Sequence, residues 1–299
     1  MSPDGLRIGS VCSGYRGLDM AVETVFGGTT AWVSDIDPGA NKILAHHWPT
    51  VPNLGDLTTT DWSAVEPVDV FCGGYPCQPF SIAGEKKGTA DERHIWPHIA
   101  RALGVLRPRY AVFENVGNHL RLGFDTVLAD LAGLGFDAEW VCVRASDVGA
   151  PHPRRRLILL ATAQDTDGEP CSERWVTASG EAEAGGARSD AGGRGGAPAG
   201  GPSSGAAAWR EYGPAVRRWE DVTGRAAPHP TNALGRLSTT AVEWMMGLPA
   251  GHVTDVPGLS RKEQLHALGN GVVPQQAAAA LRLLLARSEA SRRTLSAAA

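Results

Sequence analysis

The sequence predicts an α/β protein with a mostly parallel sheet and a second, smaller domain. The first ~160 residues alternate short apolar runs with helical patterns, as βαβ units do. Composition then shifts to Gly, Ala, Ser, Arg and Glu over residues 164–207, which have few apolar anchors. With 299 residues, the chain can bury a large core in one main domain and still carry a smaller one.

The candidate strands are Arg7–Cys12, Ala31–Ser34, Val68–Cys72, Tyr110–Phe113, Glu139–Val143 and Leu157–Ala161. Each is a short apolar run, and several stop at glycine, proline or an acid. Helical patterns lie between them. In Phe124–Leu134, for instance, Phe124, Val127, Leu128 and Leu131 form one apolar face. Residues 184–201 approach low complexity and read as a linker or surface loop. Order returns in Trp209–Val222, where Trp209, Tyr212, Val216 and Trp219 are spaced for a short helix. Ala241–Leu248 is apolar again, Gln275–Arg287 reads as an Ala- and Leu-rich helix, and the tail after Ser288 is expected to fray. The division that follows is 1–163, then 164–262 with the low-complexity linker at its start, then a C-terminal segment, 263–299, returning to the first domain.

Chemistry concentrates where strands end. Gly-Gly-Tyr-Pro-Cys-Gln-Pro-Phe-Ser, residues 73–81, holds Cys77 between two prolines just past a strand. A thiol on a rigid turn is placed to act as a nucleophile, although a small buried hydrophobe is the commoner role of a cysteine. The run Tyr110–Phe113 leads into Glu114-Asn115-Val116. Ligands of open α/β sheets bind beyond the carboxyl ends of strands, so Cys77 and Glu114 are expected to face one pocket. Such a pair suits covalent attack on an electron-poor ring polarised by the acid.

The first strand runs into Cys12-Ser13-Gly14-Tyr15-Arg16-Gly17-Leu18-Asp19, a strand, glycine turn and helix start that cradles a nucleotide-like ligand. The second ends at Ser34-Asp35-Ile36-Asp37, where an acid commonly holds a ribose. Asp37 before Pro38 reads equally well as a helix N-cap. Gly55-Asp56 follows as a candidate adenine contact. Cys12, Cys72 and Cys142 lie in apolar strands and read as small buried hydrophobes.

Five cysteines (12, 72, 77, 142, 171) at irregular spacings, without a Cys-x-x-Cys pair, argue against a disulfide framework and against a metal site. No apolar stretch approaches a membrane span and no signal-like segment is evident, so a cytoplasmic protein is expected. The net charge of −4 hides an asymmetry. Residues 1–143 carry −7, residues 144–236 carry +1 with arginine as the only base, and residues 237–299 carry +2. Arginine suits phosphate and guanine contacts, though an ordinary solvated surface accounts for these charges about as well.

Pro76-Cys77-Gln78, Glu114-Asn115-Val116, Arg154-x-Arg156 and Gly269-Asn270-Gly271-Val272-Val273-Pro274 occur in the order found in the cytosine-5 DNA methyltransferases. The strand-one glycine turn and Glu243-Trp244-Met245-Met246-Gly247-Leu248-Pro249 also resemble blocks of that family, in wording similar to bacterial and phage members. The resemblance covers about 1–163 and 235–285.

It implies a Rossmann-like S-adenosyl-L-methionine methyltransferase sheet with a smaller target recognition domain and double-stranded DNA in the cleft between them. Cys77 would add to cytosine C6, Glu114 would bind N3 and the exocyclic amine, and Arg156, supported by Arg154, would sit near the base. Cys12, Ser13, Gly14, Gly17, Leu18, Asp35, Ile36, Asp56, Leu57, Pro76, Asn270 and Val272 would meet the cofactor. The base must leave the duplex for C6 to be reached. Gln78, Ser81, Lys86, Lys87 and Arg93 fall on a segment, Ser81–Arg93 with its approach, that fits a loop closing over it. Arg210, Arg217 and Arg218 are the expected ordered DNA contacts of the recognition region, and a helix packed by its aromatics with arginines facing water is the plainer reading of the same residues. A monomer is expected. A cognate restriction endonuclease and a phage DNA-protection role both stay open, as does the target sequence.

The chain departs from the family where Cys12 replaces a phenylalanine, Arg16 a glycine of the turn, His152 a glutamine and Asp35 a glutamate. An RNA (tRNA) cytosine-5 methyltransferase shares these blocks, but nothing in 164–234 reads as an RNA module. A catalytically silent DNA-binding relative would be free to lose Cys77, Glu114 or Arg156, and all three are present. A thiol redox enzyme would want the Cys-x-x-Cys pair the chain lacks.

Overall fold

A computed structural model describes residues 5–76, 95–164 and 208–298, with side chains to residue 291. Its centre is a six-stranded sheet in the order β2-β1-β3-β4-β6-β5. The strands are β1 (Arg7–Val11), β2 (Thr29–Ser34), β3 (Val70–Gly73), β4 (Tyr110–Val116), β5 (Phe136–Arg144) and β6 (Arg155–Ala163). Each expected strand is present, and most extend past their apolar runs.

The β1–β2, β1–β3 and β3–β4 pairs are parallel. Their registers pair Val11 with Gly73 and Gly73 with Phe113, so the strands end nearly level. β6 runs antiparallel to both β4 and β5. That reversal sets the start of β6 beside the end of β4, with Arg156 opposite Val116. Side chains two positions apart share a sheet face, so Glu114 and Arg156 fall on one face at one edge.

The described helices are α1 (Gly17–Phe26), α2 (Pro38–His47), α3 (Trp96–Leu106), α4 (Phe124–Gly133), α5 (Gly213–Thr223), α6 (Thr239–Met245), α7 (Arg261–Asn270) and α8 (Pro274–Ala298). One core joins Trp32, Trp62, Phe71, Trp96, Leu103, Phe113 and Leu131 between the sheet, α3 and α4. A second gathers Tyr15, Ile43, Trp219, Trp244, Leu248 and Val273. α8 packs along α1, β5 and β6. Residues 208–298 thereby form one compact unit with 5–163.

Several expectations need correcting. The tail does not fray after Ser288, since α8 continues to Ala298. Its Ala, Arg, Glu and Leu are good helix formers. Trp209 precedes a short 3-10 turn rather than lying on α5, and its indole N–H donates to the Pro228 carbonyl at 3.0 Å. Cys12 lies past the end of β1 in a left-handed conformation, φ 51°, rather than inside a strand. It and Cys142 are only partly buried, whereas Cys72 is buried as expected.

Candidate active site

A cavity of about 580 Å³ opens beyond the carboxyl ends of β1, β2, β3 and β4. Its first wall is the turn after β1. Gly14 has φ 54°, and its N–H donates to Asp35 Oδ2 at 2.8 Å. The Asp37 N–H donates to the other Asp35 oxygen, also at 2.8 Å. Asp35 therefore ties the turn to the end of β2, and burial pushes its carboxyl upward. Asp37 caps α2 by accepting from the Ala40 N–H at 2.8 Å, with Pro38 in the first helical position. It also lines the cavity.

The C-terminal segment closes this wall. The Tyr15 hydroxyl, fully buried, donates to the Val272 carbonyl at 2.8 Å. A Cβ on Gly17 would strike that same carbonyl oxygen and the Tyr15 ring, so the close approach requires glycine. Arg154 Nη2 donates to the carbonyls of Gly269 at 2.5 Å and Gly271 at 2.6 Å, fixing the approach to α8.

The opposite wall holds the acid. Glu114 is 7% exposed, with Arg156 Nε 2.6 Å from its Oε1. The angle departs from hydrogen-bond geometry, and among the described residues neither atom has another hydrogen-bond partner. Burial raises the carboxyl to about 6, opposed by the charges of Arg156 and Arg154. Asn115 Nδ2 donates to the Tyr75 carbonyl at 3.1 Å, which orients the chain toward Pro76 at the cavity. The Cys12 thiol, by contrast, is pushed up to about 12 by burial and by Asp35, so it is a poor nucleophile.

The cavity thus gathers Cys12, Ser13, Gly14, Gly17, Leu18, Asp35, Pro76, Glu114, Arg156, Asn270 and Val272. Three candidate cofactor residues do not line it. Ile36 is 68% exposed and Leu57 is in the core. Asp56 accepts from the N–H and hydroxyl of its neighbour Thr58, which hold its carboxyl below the usual range. Arg154 also lies outside the lining and acts as a brace. Arg210, Arg217 and Arg218 are exposed, while Val216 and Trp219 of the same region are buried. Cys77, Gln78, Ser81, Lys86, Lys87 and Arg93 lie outside the described residues.

Sequence reasoning missed two groups. Buried Glu243 accepts from the N–H groups of Gly251, Val253 and Thr254 and from the Thr254 hydroxyl, organising the loop after α6. The other is the ion-paired side chain of Arg16. Among the described residues no group of His, Cys, Asp and Glu could hold a metal, and no helix is long and apolar enough to cross a membrane.

The level strand ends and the glycine turn with its acid at β2 define the class of α/β proteins that hold a nucleotide-like ligand at the carboxyl edge of the sheet. Residues 6–183 match the C-5 cytosine-specific DNA methylase family, and the chain belongs to it. A Type II methyltransferase of Herpetosiphon aurantiacus, M.HgiBI, is 31% identical over 163 residues, covering 52% of this chain and 37% of that protein. A DNA N-6-adenine-methyltransferase of Escherichia phage P1 is 39% identical over 145 residues, 43% of this chain and 19% of that protein. The matched stretch thus spans well under half the length of these relatives. The Entamoeba histolytica methyltransferase EhMeth has the same fold at 17% identity, with a TM-score of 0.63 over 95% of this chain and 98% of that one.

Proposed function

We propose that this chain transfers a methyl group from S-adenosyl-L-methionine to C5 of cytosine in double-stranded DNA at a specific short sequence. The observation that carries the reading is Glu114, buried beside Arg156 in the cavity that the glycine turn bounds. Residues suited to the cofactor are present. Gly14 leaves open space against the backbone at the cavity, and the carboxylates of Asp19, Asp35 and Asp37 suit the cofactor's hydroxyls and positive charge. Bound there, the cofactor supplies an electrophilic methyl group.

Cytosine C5 is a weak nucleophile, so the ring needs activation. The Cys77 thiolate adds to C6, forming an S–C6 bond and making C5 enamine-like. Glu114 hydrogen-bonds N3 and the exocyclic amine and offsets charge as the thiolate adds. Its raised pKa favours the protonated carboxyl that donates to N3. Arg156 holds Glu114 and borders the base. Once C5 carries the methyl group, its proton leaves to solvent base and the S–C6 bond breaks, restoring the ring and the thiolate. The base is taken out of the stack, because C6 is unreachable in a duplex.

Target recognition is assigned to 164–262, with Arg210, Arg217 and Arg218 on phosphates or bases, and Gln78, Ser81, Lys86, Lys87 and Arg93 on the strand around the flipped base. The enzyme acts as a monomer, and the Type II relatives make a cognate restriction endonuclease its candidate partner.

The test is methyl transfer from labelled S-adenosyl-L-methionine to unmethylated genomic DNA and to total tRNA, with Cys77→Ser in parallel and bisulfite sequencing of the DNA. Label in DNA at one short motif, absent with the variant, is the expected result. Label in tRNA alone would replace DNA by RNA as substrate. No label in either, with cofactor still bound, would refute the activity.

A further inference from the structure

Arg16 occupies a position that the glycine turn of the family fills with glycine. It adopts φ 68°, ψ 28° at the N-cap of α1, a left-handed backbone that glycine takes freely and an arginine does not. The side chain is 1% exposed and heavily tied. Nε lies 3.1 Å from Asp19 Oδ1, and Nη2 lies 2.6 Å from Glu23 Oε1 and donates to Thr30 Oγ1. The guanidinium carbon sits 4.1 Å over the centroid of Trp48. These partners come from α1, from β2 and from the end of α2, so the side chain is held from three directions.

The same network reaches the cavity. Asp19 lines it and pairs with Arg16. Ser13 lines it too, and its hydroxyl is hydrogen-bonded to Ser10 at 2.8 Å. The neighbouring Tyr15 carbonyl accepts from His252 Nε2 at 2.9 Å.

We propose that Arg16 is a positioning residue for the cofactor turn, its guanidinium locking residues 12–17 through Asp19, Glu23, Thr30 and Trp48 where relatives rely on the freedom of glycine. The inference rests on reading the cavity as the S-adenosyl-L-methionine site. Removing the side chain leaves the buried carboxylate of Asp19 without its cation and lets the turn explore geometries that do not bind.

Arg16→Gly separates this from the simpler account, because it restores backbone freedom while deleting the ties. Binding of S-adenosylhomocysteine would be followed by calorimetry, and initial rates by methyl transfer, at a temperature where circular dichroism shows the proteins folded. The expected result is a Kd weakened by about tenfold, equal to about 1.4 kcal/mol, from lost preorganisation. KM for S-adenosyl-L-methionine should rise with it, kcat at saturation should fall less than twofold, and Arg16→Lys should recover part of the loss. Binding by the glycine variant within twofold of the parent, or a kcat loss at unchanged KM, would overturn the proposal. Should Arg16→Gly fail to fold, the milder Glu23→Gln decides, and unchanged binding in that folded variant would overturn it equally. A parent protein that binds no S-adenosylhomocysteine would instead refute the cofactor reading, and this inference with it.

Discussion

Replacing Glu114 by glutamine tests whether burial or Arg156 governs the acid at the centre of the site. Burial is the larger effect and raises the carboxyl from 4.5 to about 6. The folded chain therefore binds this proton more tightly than the unfolded chain does. Its contribution to stability is complete below about pH 4.5 and is lost as pH rises through about 6. At about 1.4 kcal/mol per pH unit, the loss amounts to about 2 kcal/mol. Glutamine has no proton to lose. Urea unfolding of both proteins at intervals between pH 4 and 7.5 should show the parent falling by about 2 kcal/mol relative to Glu114→Gln, with a plateau above pH 7. Taking the difference between the two proteins cancels the titration of other groups. A difference that does not change with pH would refute the reasoning. A parent that instead gained stability relative to Glu114→Gln as pH rose would show that Arg156 outweighs burial and holds the carboxyl below its ordinary value.

Two further substitutions probe the supports. Glu243→Gln puts an NH₂ group against a cluster of donors in place of a carboxylate oxygen, and should cost about 2–4 kcal/mol in denaturant unfolding; a cost under about 1 kcal/mol would mean the loop 251–254 does not depend on it. Gly17→Ala drives a methyl group into the Val272 carbonyl and should destabilise the protein by about 1–3 kcal/mol while weakening S-adenosylhomocysteine binding, and unchanged values in both would remove the close approach.

The apolar strand centres were legible because buried strands read as continuous hydrophobic runs. Their ends were not. Glu114 and Asn115 look like the close of β4 by polarity, yet both are paired residues of the strand, because β6 continues the ladder beside them. The reversal of β6 leaves no mark in local pattern, since antiparallel and parallel partners can bury the same run. The grouping of Glu114 with Arg156 therefore came from the resemblance and not from periodicity. That Asp56 stands outside the cavity lining was not legible, because a Gly-Asp pair after a strand looks the same whether the acid faces a ligand or closes its own turn on Thr58. Arg16 was read only as a missing glycine. Asp19 and Glu23, three and seven residues on, lie on one face of α1 and were the available signal for its ion pairs.

The hydrogen bond from Tyr15 to Val272 joins residues 257 apart, and Arg154 reaches 117 residues forward to Gly271. The cavity is thus a seam between residues far apart along the chain. Synthesis proceeds from the N-terminus, so β1 to β6 and Cys77 emerge well before residues 269–274. The half that would carry the nucleophile is made long before the half that completes the methyl-donor pocket. Closing so long a loop is slow, which makes the seam a late event in folding. A ligand that touches both sides of it draws them together by mass action. On the proposed function, a methyl donor bound in this cavity would be, in effect, the last structural part to arrive.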